Sequence, residues 1–537
     1  MHSGDANASR DGPAVMVQPS WSSRDGPVVT VLHHVASGRS VEEICGDFQY
    51  LKSGDFRWRC CLAGAWFSFA GLRRRSRRVE LFAPRSRAMS VDRLVSPPMP
   101  NWHEVSVWEQ LAQSPEAQVA AAAVDSRDAA SVARLRKRFD ADLVSAALEL
   151  ADARRKAGSG ASGKFARGAE LWCDVQGIEQ ASGDSVARWK AQRMREVLGA
   201  GAEISDICCG IGGDAMALAA AGLRVTAVDL DARRAWMAGR NAGCASVVAD
   251  AQSLDLNGIA LHADPARRDE RGGTRSWNID DHQPGRAWME CALAQARAVA
   301  IKFAPGVDRR TFGAVSIEWE FIESRGTLVQ AVAWSGAFAR DAGKTRATLI
   351  DARRAASPSS TSPSSASPSS ASPSSASPSS TSSTSPAHDD APSVHTIVGI
   401  PDDARADRLG AFRDPRPGAF LCEPAAALER AQLLTEAAIG YDACEVTRGL
   451  GLVESPTPLA APWFESFEIV CESKVRVEAF AAAMRAHGLT PRSVRVRGDA
   501  AEANVLTRAL GCNPKGDGVV FIWRHGKSAR AFVTRVR

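Results

Sequence analysis

Four carboxylates stand where short apolar runs of this chain end: Asp206, Asp229, Asp250 and Asp264. The first opens a glycine-rich turn that runs through Cys208, Gly210, Gly212 and Gly213 to Asp214, just before the helix-forming stretch 215–221. Glycine lets the backbone approach a ligand closely, and the helix N-terminus that follows favours electron-rich groups. Asp229 lies seventeen residues beyond Gly212, where a carboxylate accepts hydrogen bonds from both hydroxyls of a ribose. Asp250 ends the third run and is placed to accept from an adenine amino group. Charge then chooses between ligands. A dinucleotide-binding turn uses GxGxxG to fit a pyrophosphate against the helix end. The Asp206 carboxylate repels a pyrophosphate but suits the cationic amino-acid end of S-adenosylmethionine. Asp206, Cys208, Gly210, Gly212, Asp229 and Asp250 are therefore the expected cofactor-binding residues.

The second chemical signal is Asp264-Pro265-Ala266-Arg267-Arg268, after the fourth apolar run. Enzymes that methylate exocyclic amino groups of bases place Asp/Asn-Pro-Pro-aromatic at this point. Oxygens of that loop accept from the target amino group and steer its lone pair at the methyl carbon, while the aromatic ring stacks on the base. Here Asp264 and Pro265 are kept, but Ala266 and Arg267 replace the second proline and the aromatic. Arginine stacks on a base or clamps a phosphate, which keeps nucleic acid open as substrate. Asp264, Pro265 and Arg267 are the expected catalytic residues. His262 reads as a core residue rather than a base, since methyl transfer from a sulfonium depends mainly on alignment. Lys302 either points into the cleft or snorkels along apolar neighbours.

These residues need a scaffold, and the apolar runs supply one. Stretches 204–207, 224–228, 246–249, 259–263 and 298–303 read as buried strands separated by helix-length segments. That alternation is the signature of a parallel, doubly wound sheet. Runs 316–322 and 327–334 alternate with period two around Ser-Arg-Gly, predicting an antiparallel hairpin at the sheet's end. The fold class is α/β, a Rossmann-like seven-stranded sheet over 201–350. A helical region precedes it over 104–200, with a helix start at Ser114-Pro115, an apolar stripe through Val132, Leu135, Phe139, Leu143 and Ala146, and a helix over 185–198. These helices are expected to pack against the sheet edge.

After a Ser/Pro-rich repeat at 357–386, read as a disordered surface spacer, residues 395–537 form a small α+β region that opens with a helix over 424–439. Over 466–537, thirteen lysines and arginines outnumber six carboxylates. Arg492, Arg495 and Arg497 alternate along one predicted strand, and a basic sheet face attracts phosphate backbones. Residues 1–98, with the arginine-rich stretch 73–78, lack helical or strand period. They read as a disordered or spurious extension, with Met89 or Met99 as the true start, in preference to a basic arm that grips nucleic acid. Twelve cysteines are dispersed without a CxxC pair, so no metal site or disulfide framework is expected, and reduced thiols place the chain in the cytoplasm. No apolar run reaches the length of a membrane span. A net charge of +5 is too small for this length to identify a partner.

The motifs together resemble a bacterial family, the class I S-adenosylmethionine-dependent methyltransferases with a C-terminal THUMP-like domain. The resemblance rests on GIEQAS at 177–182, DICCGIGGDA at 206–215, AVDLD at 227–231, ADPARR at 263–268, FLCEP at 420–424 and PWFESFEIV at 462–470. The core is also similar to guanine-N2 methyltransferases of the trimethylguanosine synthase type, with DPAR in place of SPPW. It implies a THUMP-related RNA-binding module and hence an RNA substrate, methylated by direct displacement at the sulfonium. A small-molecule or protein methyltransferase, and a non-catalytic module that binds the cofactor or RNA, are the rival readings.

Overall fold

The structure is a computed structural model that describes residues 103–158, 163–267, 279–313, 316–350, 393–405, 407–526 and 528–537, with the backbone of four strands nearer the N-terminus. Those four strands, Val17–Ser22, Gly26–Val31, Arg57–Leu62 and Ala65–Ala70, pair in that order within a unit spanning Met1–Ser96. They stand where no strand period is legible in the sequence. The rest of 1–98 and the Ser/Pro repeat lie outside the described residues.

In the second unit, Pro97–Arg537, the expected parallel strands form, and apolar side chains of all but the exposed edge strand Ala245–Val248 are buried. These strands are β1 (Glu203–Ile207), β2 (Arg224–Asp229), β3 (Ala245–Val248), β4 (Ala260–Ala263) and β5 (Ala298–Phe303). The hairpin β6 (Glu318–Ser324) and β7 (Thr327–Gly336) turns through Arg325 and Gly326, both with positive φ. The sheet does not stop at seven strands. Strand β8 (Thr345–Ile350) adds parallel to β6, and β9 (Val394–Gly399) adds antiparallel to β8. The order is β9-β8-β6-β7-β5-β4-β1-β2-β3, with β7 inserted antiparallel between β5 and β6. Pairing of Ile350 with Val394 makes the intervening residues an insertion between neighbouring strands. The 394–399 run, assigned above to the C-terminal region, thus belongs to this sheet.

Helices cover both faces. The N-terminal stripe is divided into α3 (Ala129–Arg136) and α4 (Ala141–Ala157), which follow α1 (Val105–Ala112) and α2 (Pro115–Ala122). The division falls at Asp140, whose carboxylate caps α4 by accepting from the N–H groups of Asp142 and Leu143. After α5 (Val175–Gln180) comes α6 (Asp184–Leu198), which lies on a sheet face rather than the edge. Its Val186, Ala191 and Met194 pack with Ile204, Val225 and Trp334, beside α7 (Gly213–Ala220). Next in the chain is α8 (Ala232–Ala242), whose Met237 packs with Trp108 and Leu150 of the N-terminal helices. The opposite face carries α9 (Arg286–Gln295) and, from far along the chain, α10 (Ala426–Ala431). The expected helix over 424–439 breaks at Gln432, whose φ is +56°. Its first half packs on the nine-stranded sheet, where the Thr345 hydroxyl donates to the Ala431 carbonyl at 2.7 Å.

Strands β10 (Phe420–Pro424), β11 (Val453–Ser455), β12 (Phe464–Ser473), β13 (Pro491–Arg497), β14 (Gly518–His525) and β15 (Ser528–Val536), with the short pieces Gly410–Ala411 and Cys444–Glu445, make a second sheet of eight strands. Phe480 and Met484 of the helix Val477–Ala486 cover one face. Phe467, Phe521, Trp523 and Phe532 are buried on the other.

Candidate functional site

A cavity of about 1680 Å³ opens at the carboxyl ends of β1, β2, β4 and β5, where open α/β sheets bind ligands. Its floor is the turn after β1. Cys208 at φ +57° and Gly210 at φ +56° twist this turn, and both line the cavity. The turn is held by Asp229, which ends β2: Oδ2 accepts from the Gly210 N–H at 2.9 Å and Oδ1 from the Asp231 N–H at 3.0 Å. Burial raises the Asp229 carboxyl above the usual range and pushes the Cys208 thiol well above its ordinary value. That leaves Cys208 protonated at neutral pH, a wall and not a nucleophile.

The next wall is Leu230, 58 % exposed although apolar, between Asp229 and Asp250. Asp250 caps a short helical turn, accepting from the Gln252 N–H at 2.9 Å. Trp288 anchors that turn by donating to the Ala251 carbonyl at 2.9 Å. Across the cavity, Asp264 follows β4 with its N–H bonded to the Ile207 carbonyl. Its Oδ2 lies 2.5 Å from the Lys302 ammonium, which also donates to the Gln180 carbonyl at 3.1 Å. Lys302 thus points into the cleft, one of the two options left open by its sequence. Pro265 and Ala266 also line the cavity, as do Gly177, residues 179–186 and the β6–β7 turn. The Arg267 side chain lies outside the described residues; its backbone pairs with His282.

Two expected cofactor residues stand elsewhere. Asp206 is 1 % exposed and does not line the cavity. It turns beneath the floor, where Oδ1 accepts from His262 Nδ1 at 2.7 Å. His262 Nε2 lies 3.1 Å from the buried Lys190 ammonium, which reaches Asp214 at 2.7 Å. Burial pushes the Asp206 carboxyl up, against the pull of His262. A side chain sealed into this network does not contact a ligand in the cavity, so Asp206 is not the cofactor-binding carboxylate expected from its sequence position. Gly212 also does not face the cavity. At φ +83° it starts α7, and a Cβ there would stand 2.8 Å from the Ala238 Cα. Close helix packing requires this glycine.

The arginine stripe is corrected as well. Arg495 forms ion pairs with Glu423 and Glu465, and Arg497 with Glu423 and Glu429, both at 3.0 Å. Burial, then the neighbouring Arg497, lowers Arg495 to about 10. Arg495 also lies over the Phe467 ring. Carboxylates brought in by β10, β12 and α10 answer these two arginines, so Arg495 and Arg497 are not free to meet a phosphate backbone.

Sequence reasoning missed Leu230, Lys164, Arg188, Ser182 and Gln330, all of which line the cavity. Only Leu230 carries a local signal, an apolar residue between two acids directly after a strand. Among the described residues no cluster of three or more His, Cys, Asp or Glu side chains could hold a metal ion, and no helix is long and apolar enough to cross a membrane.

No family model matches the chain. It is similar to two uncharacterized S-adenosylmethionine-dependent methyltransferases of Mycobacterium tuberculosis, from strains CDC 1551 / Oshkosh and ATCC 25618 / H37Rv. Each is 32 % identical over 183 residues, 33 % of this chain. The chain spans about half the length of these relatives, 49 % of each. The structure also resembles the crystal structure of a Porphyromonas gingivalis W83 protein proposed to be a methyltransferase. That likeness has a TM-score of 0.52 and 14 % identity, over 80 % of this chain and 98 % of the other. The sequence likeness is thus to S-adenosylmethionine-dependent methyltransferases, and the chain shares its fold with the P. gingivalis protein.

Proposed function

We propose that the protein is an S-adenosylmethionine-dependent methyltransferase acting on RNA, at an exocyclic amino group of a base. The observation that carries this reading is the cavity itself. One half presents a glycine turn locked to Asp229, with Leu230 and Asp250 beyond it; the other presents Asp264-Pro265. S-adenosylmethionine fits the first half by chemistry. Cys208 and Gly210 offer backbone at the floor, Asp229 oxygens suit ribose hydroxyls, Leu230 offers an apolar surface for a purine face, and Asp250 suits an adenine amino group. When bound, the cofactor supplies a methyl group on a sulfonium, a good leaving group.

Asp264 does the positioning. It accepts from the acceptor's N–H and aims the nitrogen lone pair at the methyl carbon; alignment of this kind supplies much of such a rate enhancement. The N–CH₃ bond forms as the S–CH₃ bond breaks, its electron pair stays on sulfur, and the nitrogen then sheds a proton to solvent. Pro265 shapes the loop, and Arg267 stacks on the base or holds a phosphate. The C-terminal sheet, read as THUMP-like, holds the rest of the RNA. The test is transfer of labelled methyl to RNA from a strain lacking the gene, followed by nucleoside mass spectrometry. One newly methylated nucleoside supports the reading; label appearing only in small molecules or protein overturns the RNA assignment.

A second reading is favoured by the neutralised arginines Arg495 and Arg497. In it the acceptor is a small molecule and the C-terminal region a lid. Salt separates the two: RNA binding weakens steeply with ionic strength as many counterions are released, and a small acceptor that touches few charges shows a much shallower response.

A further inference from the structure

Asp229, Asp231 and Asp250 line the cavity together with Arg234, whereas three cations, Lys164, Arg188 and Lys302, line it together with Asp264, Glu179 and Asp184. Lys302 already faces Asp264. Among the described residues Lys164 has no carboxylate in ion-pair contact: its ammonium donates to the carbonyls of Ile178 at 2.6 Å and Glu179 at 3.0 Å, the C-terminal end of α5. The Glu179 carboxylate pairs with Lys156. Main chain fixes Lys164 on both sides, its N–H donating to the Ala157 carbonyl and its own carbonyl accepting from the Asp184 N–H, each at 3.1 Å. Arg188, one turn into α6, is exposed and forms no ion pair among the described residues. Ser185 and Arg188 lie close together on the face of α6 that lines the cavity.

A half-buried ammonium with no carboxylate in direct contact is costly, and Asp264 and Glu179 attract Lys164 only from a distance. Burial, and then repulsion from Lys302, pushes the Lys164 ammonium down to about 8. Lys164 is held rigidly, and neither it nor Arg188 has a carboxylate in ion-pair contact among the described residues. We propose that Lys164 and Arg188 seat a phosphate group carried by the methyl acceptor, beside the Asp264 end of the cavity. This rests on the methyltransferase reading above and extends it to how the acceptor is held. In an RNA the group is a backbone phosphodiester; in a small acceptor it is a phosphomonoester.

The test uses the full chain loaded with S-adenosylhomocysteine and titrated with inorganic pyrophosphate by calorimetry. Wild type and Lys164→Arg should bind it, and Lys164→Met and Arg188→Gln should bind it at least ten-fold more weakly. All four proteins should hold S-adenosylhomocysteine within three-fold of one another, which also shows that they are folded. Absence of pyrophosphate binding to wild type, or equal binding to all variants, overturns the proposal. A ten-fold loss of S-adenosylhomocysteine affinity in Lys164→Met overturns it differently, by placing the cofactor's carboxylate on Lys164. Lysine-dependent pyrophosphate binding in a protein that transfers no methyl to RNA supports the seat and sinks the RNA reading alone.

Discussion

The two halves of the cavity hold their carboxylates in different ways. In the cofactor half, Asp229 and Asp250 are answered by main-chain N–H groups of nearby turns, those of Gly210, Asp231 and Gln252. In the acceptor half, Asp264 is answered by the side chain of Lys302, which in turn holds the Gln180 carbonyl. Main-chain partners follow from a strand–turn–helix geometry that many sequences adopt. Side-chain partners tie together α5, β4 and β5, so they depend on how this chain packs. One end follows from a common strand–turn–helix geometry and the other from the packing of this chain, a division that matches the proposed cofactor and acceptor ends.

Substitutions can separate the halves. The largest effect is expected from Asp264→Ala, which should lower methyl transfer by about 100-fold or more through lost alignment, while S-adenosylhomocysteine affinity by calorimetry stays within about three-fold. Equal losses in both would erase the division. Asp229→Ala should do the reverse. Loss of even one hydrogen bond to a charged acceptor, contributing roughly 1.5–3 kcal/mol, should weaken S-adenosylhomocysteine by at least about 10- to 100-fold. Turnover at saturating cofactor should change far less, as steady-state kinetics would reveal.

A smaller and graded effect should come from pH. An ammonium binds an oxyanion only while protonated, and Lys164 sits near 8 instead of its ordinary higher value. Pyrophosphate affinity should therefore be full below about 8 and fall as pH rises through it, by up to about ten-fold per unit. Cofactor affinity should stay nearly level across that range, and a parallel decline would argue that one site serves both ligands. The smallest effect is expected from Arg497→Gln. Its partly exposed ion pairs contribute only ~0–1 kcal/mol, and a neutralised arginine offers phosphate little, so RNA affinity by filter binding should change by less than about two-fold. A ten-fold loss would restore the basic face inferred from composition.

Much of the scaffold was legible because it is local. The boundaries expected for β1, β2, β3 and β4 agree with the structure within one residue, and those of β5 agree fully, since apolar runs bounded by turn residues depend on neighbours only a few positions away. Asp229, Asp250 and Asp264 stand at the cavity for the same reason: a residue at a strand's carboxyl end of a parallel sheet has few other places to be.

What the sequence determined by itself, then, is the order of the first seven strands of the nine-stranded sheet, the glycine turn, and three of the four strand-end acids. Tertiary structure decided everything that required a distant partner. Asp206 differs from its three counterparts because it lies within β1, and His262 of β4, its sheet neighbour, takes its carboxylate below the floor. Arg495 and Arg497 look free along their own strand, yet Glu423, Glu429 and Glu465 come from segments that no window around 495 contains. Strand β9 waits more than forty residues for its place beside β8. Side-chain period reports which face a residue takes, but charge is settled by whatever packs against that face, and only the folded chain brings those partners together.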